Sequence, residues 1–150
     1  MMDAVPSELI EPFAVILPSA AGTWEPATGG DGLDACLLVA RDADDEIVDV
    51  VAWELGSPSA WWLRWGEATI LGALEVELCR LRERPLRVVP TPKAWLDEAG
   101  CALCVLNWDA RLLPILDGIE LRPSSPALER RLRAKLAQEA AERVQIARVA

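Results

Sequence analysis

The stretch Pro85-Leu-Arg-Val-Val-Pro-Thr-Pro-Lys-Ala-Trp-Leu-Asp-Glu-Ala-Gly-Cys-Ala-Leu-Cys-Val-Leu-Asn107 constrains the fold more than any other part of the chain. Leu86 to Val89 is a short apolar run. Thr91 suits a helix cap, Pro92 the first helical turn and Gly100 a left-handed helix end. A second apolar run, Ala102 to Leu106, follows at once. Two strands joined by a short helix predict a parallel pair with a right-handed crossover. Such a unit sets a fold class and carries no chemistry of its own.

Upstream, Ala35 to Ala40 and Ile47 to Leu55 are apolar and rich in strand formers, and Arg41-Asp-Ala-Asp-Asp-Glu46 joins them as a hairpin tip would. Ala60 to Trp65 reads as a third strand, with Gly66-Glu67 turning the chain into Ala68 to Leu71. Leu74, Leu78 and Leu81 recur at helical spacing and predict an amphipathic helix over residues 73–84, closed by Pro85. Residues 109–116 read as a short helix and 119–121 as a further strand. From Ser125-Pro126 onward, Leu128, Leu132, Leu136 and Ala140 make one apolar stripe on a helix that can cover a sheet, and residues 145–150 read as a tail or an edge strand. The expected fold is therefore α+β: an antiparallel β-meander continuing into a βαβα segment, with a C-terminal amphipathic helix packed on the sheet. Residues 1–34, rich in glycine and proline, are expected to be an N-terminal arm, in part flexible, and residues 35–150 a single domain.

No stretch reaches the roughly 18 uninterrupted apolar residues of a membrane span, and the first residues lack the basic start of a secretory signal. The four cysteines are sparse for a disulfide scaffold and read as buried thiols of a cytoplasmic protein. The net charge of −9 is unevenly placed. Residues 1–59 hold twelve acids against Arg41 alone, whereas residues 60–150 hold twelve acids and fourteen bases. An acidic surface repels phosphate and attracts bases, which disfavours nucleic acid as a ligand of the whole molecule and favours a basic protein partner. The absence of histidine removes the commonest general base and metal ligand, and weighs against an enzyme.

Several groups invite a chemical reading. Cys101-Ala-Leu-Cys104 has the gap of zinc and redox sites, but residues three apart on a strand point to opposite faces, so no metal or cofactor is expected there. Asp42, Asp44, Asp45 and Glu46 cluster as the acids of calcium loops do. Counting from Asp42, however, position six is Ile47 where glycine is needed and position twelve is Trp53 where glutamate is needed. The cluster is better taken as a docking surface for a basic partner, together with Trp62 and Arg64 as an exposed pair on one face of the third strand. Arg130, Arg131, Arg133 and Lys135 lie off the leucine stripe of the last helix and, with Trp62 and Arg64, offer an alternative nucleic-acid contact. The order of three strands, helix and strand resembles the core of restriction-endonuclease-like nucleases, which would make Asp49 a metal ligand. The expected Glu-x-Lys is replaced by Trp62-Leu-Arg64, and without a second carboxylate two-metal hydrolysis lacks ligands.

Val51-Ala-Trp53, Trp61-Trp-Leu-Arg64 with Gly66, Ile70-Leu-Gly72, Pro90-Thr-Pro92 with Trp95-Leu96, Gly100 and Val105-Leu106 with Trp108 together resemble a group of small uncharacterised proteins of bacterial prophages and plasmids. The likeness spans about residues 50–122. It implies no catalytic residue and no cofactor, because the group has no established activity. The expectation from the chain as a whole is a non-enzymatic accessory or inhibitory protein that engages a basic partner through its acidic N-terminal half. The alternatives are a metal-dependent nucleic-acid enzyme or its inactive relative, and a nucleic-acid-binding module.

Overall fold

Between Leu33 and Leu63 the chain is apolar on both faces of its strands, and both faces are covered. The computed structural model describes residues 9–149, with side chains over residues 13–142. Strands β1 (Leu9–Pro18), β2 (Trp24–Pro26), β3 (Leu33–Arg41), β4 (Ile47–Glu54) and β5 (Ser57–Leu63) form one antiparallel sheet in the order β2-β1-β3-β4-β5. Its two ends curl toward each other. The Leu63 N–H donates to the Gly22 carbonyl at 2.9 Å, and the Trp24 indole N–H donates to the Val50 carbonyl at 2.9 Å. The enclosed face holds a small core of Ile16, Trp24, Ala35 and Ala52, against which Trp62 packs.

The surface arm expected over residues 1–34 is, from Leu9 onward, part of this sheet, because β1 lies between β2 and β3. Its portion before Leu9 lies outside the described residues. Phe13 to Leu17 is strand-like in sequence, but its place in the sheet is hard to see because the pairing with β3 is irregular, with register shifts on both sides of Glu11, and because Pro12 and Pro18 interrupt the alternation.

A second, mixed sheet consists of β6 (Ile70–Leu71), β7 (Leu86–Val89), β8 (Leu103–Val105) and β9 (Leu121–Pro123) in the order β6-β8-β7-β9. Helices α1 (Ala73–Arg82), α2 (Pro92–Asp97), α3 (Leu113–Leu116) and α4 (Pro126–Val149) alternate with its strands or follow them. The βαβ unit read from the sequence is present. β7 and β8 are parallel, with Val88 opposite Leu103; the Thr91 hydroxyl accepts the Ala94 N–H at 3.1 Å; and Gly100 takes φ 79° beyond α2. The expected hairpin between residues 60–65 and 68–71 does not form. β6 pairs with β8 instead, and residues 64–69 carry the chain from the first sheet to the second.

Cys36, Leu38, Val51 and Trp53 of the first sheet meet Leu71, Val89 and Cys104 of the second, with Trp95 of α2 among them. The other face of the second sheet, through Val88, Leu103 and Val105, packs on Val76 and Cys79 of α1 and on Leu128 and Leu132 of α4. Gly72, at the turn into α1, has φ 97°, and a Cβ there would run into the Ala102 carbonyl oxygen. That same oxygen accepts the Trp95 indole N–H at 2.8 Å, so strand end, helix start and core tryptophan are fixed together.

Both long helices depart from their expected faces. In α4, Leu128 and Leu132 are buried, but Glu139 turns inward where Ala140 was expected, and the helix runs on through Val149 in place of a tail or edge strand. In α1, the core side is Val76 and Cys79, while Leu74 and Leu81 are 51% and 80% exposed.

Candidate functional site

Asp49 is fully buried near the start of β4, and both of its carboxylate oxygens are engaged by backbone donors. Oδ1 accepts the N–H groups of Val50 and Trp65, each at 2.9 Å. Oδ2 accepts those of Glu67 at 2.7 Å and Ala68 at 3.1 Å. A charged acceptor with four donors satisfies a loop that would otherwise bury its amides unpaired. This clasp redirects residues 64–69 away from a hairpin and toward the second sheet. It also leaves Asp49 no lone pair aimed at a metal unless some of these bonds break, so the side chain is a structural anchor in geometry. Among the described residues, no three acidic or cysteine side chains come together as a metal site requires.

The four cysteines are free thiols. Cys36 and Cys104 lie in the core between the sheets and Cys79 in the core under α1, whereas Cys101 is exposed, which the sequence reading did not anticipate. Burial raises the Cys104 thiol far above its usual range and raises Cys36 and Cys79 as well, so these three stay protonated and slow to react near neutral pH.

The acids of the β3–β4 turn are held in place by the turn itself. Asp42 Oδ1 accepts the N–H of Asp44 at 2.9 Å and of Glu46 at 3.0 Å, and the Arg41 guanidinium donates to the Asp45 carbonyl at 2.9 Å. Asp44, Asp45 and Glu46 are exposed and Asp42 is half-buried. The turn lies against the first turns of α1. Between them runs a groove of about 260 Å³, bordered by Asp42, Asp45, Leu74, Leu78, Ala99 and Cys101. The sequence reading named the acids. It missed the leucines and Cys101, because the helical spacing of Leu74 and Leu78 reads equally well as core.

Trp62 and Arg64 do not form an outward pair. Trp62 packs on the enclosed core of the curled sheet, and the Arg64 guanidinium donates to the Trp24 carbonyl at 3.2 Å while lying 5.6 Å from the Trp24 ring centre. Both are half-buried and serve to close the sheet. The bases of α4 are likewise divided. Arg131 lies over the Trp108 ring at 4.0 Å, Arg133 pairs with Glu129 at 3.3 Å, Lys135 is half-buried and Arg130 is exposed. Spacing alone separates them, since on a helix Arg133 falls on the opposite side of the leucine stripe from Arg131 and Lys135.

Glu139 is the polar anchor that sequence inspection missed. It is 3% exposed, and its carboxylate accepts the Leu112 N–H at 3.0 Å to each oxygen and the Leu113 N–H at 3.2 Å, where α3 begins. An acid in the fourth turn of a surface helix gives no local sign of this task, because its partners lie 26 and 27 residues away. No protein-family model matches the chain, and neither the curated proteins nor the solved structures contain a match to it.

Proposed function

We propose that the chain is a non-enzymatic protein-binding module, an accessory or inhibitory protein of a mobile genetic element, which engages a basic protein through the acids of its first 59 residues. One observation carries this reading. Among the described residues, none of the ion pairs joins an acid of residues 1–59 to a base of the remainder. The described residues of the acidic part contain one pair, Arg41 with Asp45 at 3.8 Å. Its charge is thus left to solvent or to a partner, and an uncompensated field of one sign raises the encounter rate with the opposite sign. The two buried carboxylates, Asp49 and Glu139, are occupied by backbone donors, which favours binding over catalysis. Free thiols fit a cytoplasmic setting. No helix among the described residues is long and apolar enough to cross a membrane.

The test is capture from nuclease-treated host lysate on the tagged protein, read by mass spectrometry. The expected result is a basic protein retained by wild type and lost from a variant carrying Asp42→Asn, Asp44→Asn, Asp45→Asn and Glu46→Gln. Equal retention by the variant would overturn the reading, as would partners that disappear on nuclease treatment.

A further inference from the structure

We propose that the groove beside α1 seats an amphipathic basic helix of the partner; this deepens the reading above and rests on it. Leu74 and Leu78 of α1 line the groove beside Leu71 of the short edge strand β6, and Leu81 continues the leucine row of the helix beyond it. Leu74, Leu78 and Leu81 stand at i, i+4 and i+7, a ridge about 10 Å long. Leu74 and Leu81 are exposed and Leu78 is half-buried, although the spacing is that of a packing face. The interior amides of α1 are bonded within the helix and the edge strand β6 spans only Ile70 and Leu71, so a partner strand would find little ladder to extend and side chains must carry recognition. A second helix supplies a matching ridge of apolar side chains one turn apart.

Charge names the flanks of that helix. Asp42 and Asp45 border the groove beside Leu74, and Asp44 and Glu46 stand exposed on the same turn, with Arg41 the one base among them. Lysine or arginine beside the apolar ridge complements this rim, and acidic flanks are repelled. Residues 1–8 contain Asp3 and Glu8 and no lysine or arginine, and Arg131, Arg133 and Lys135 of α4 flank the stripe of Leu128 and Leu132, which are already buried.

The probe is a synthetic helical peptide of about five turns, with leucines on one stripe and lysine and arginine on its flanks. Its control has the same composition with the leucines scattered around the helix. Binding to the full-length protein is followed by fluorescence anisotropy at low and moderate salt. The striped peptide is expected to bind at least about tenfold more tightly than the control, and Leu74→Gln with Leu81→Gln should remove about tenfold or more. Amide substitution of the four turn acids should weaken binding and flatten its salt dependence. Bound peptide should also slow alkylation of Cys101, which borders the groove. Equal binding of the two peptides, no effect of the leucine substitutions, or no binding at all overturns the inference. The lysate capture judges the acidic-surface reading separately. A dimer of the protein alone that Leu81→Gln dissolves would also overturn it, since a second copy would then cover the row.

Discussion

In α4 the leucines at Leu128 and Leu132 lie beneath the helix, whereas in α1 Leu74 and Leu81 stand in solvent and Val76 and Cys79 take the core side. The two helices share a spacing and differ in phase. Periodicity says that a helix has an apolar stripe; the tether at its start decides where the stripe points. For α1 that tether is short, because β6 ends at Leu71 and Gly72 turns the chain directly into the helix. For α4, the Ser125 hydroxyl accepts the Leu128 N–H at 3.2 Å and starts the helix with its leucines over β9.

The contrast would break if truncating the two helices cost the same. Leu132→Ala should destabilise the protein by about 2–5 kcal/mol in urea titration, since it opens a cavity under α4. Glu139→Ala should follow at about 1–3 kcal/mol, because it leaves the buried Leu112 amide without an acceptor. Leu81→Ala should change stability by no more than about 0.5 kcal/mol, and a larger loss would mean that the row on α1 is packed in solution. Thiols sharpen the same comparison without altering packing. In native protein near pH 8, Cys101 should react promptly with a thiol reagent, and Cys79, on the inner face of α1, only after denaturant is added. Prompt reaction of Cys79 would show that α1 swings away from the sheet.

The parts of the fold written in adjacent residues were legible. Thr91, Pro92 and Gly100 bounded α2, and the apolar runs on either side of it became the parallel strands β7 and β8. Features that depend on distant partners were not. The hairpin expected at Gly66 was defeated by Asp49, 16 to 19 residues upstream of the amides it binds. Strand β1 owes its place to β3, and the inward turn of Glu139 to Leu112. At the candidate site, Asp42, Asp44, Asp45 and Glu46 could be picked out by their charge. The exposure of Leu74 and Leu81 could not, because it follows from the phase of α1. Trp62 and Arg64 failed as an outward pair for a related reason: alternation placed them correctly on a shared face, but the curl that brings Trp24 against that face is a property of the whole sheet.

The Asp49 clasp also bears on the order in which the molecule assembles. Three of its four donors, Trp65, Glu67 and Ala68, follow soon after β5, so the carboxylate can gather them once β4 and β5 are paired, by closing a short loop. The second sheet begins only two residues beyond Ala68, and its strands are drawn from residues 70–123. The clasp therefore fixes the point from which that sheet grows before its longer-range pairings form. Asp49→Asn should slow folding more than it speeds unfolding, a φ-value toward one, whereas Leu132→Ala, under the last helix, should act mainly on the unfolding rate. Stopped-flow chevrons of the two variants would show whether the first sheet is the template on which the second is laid.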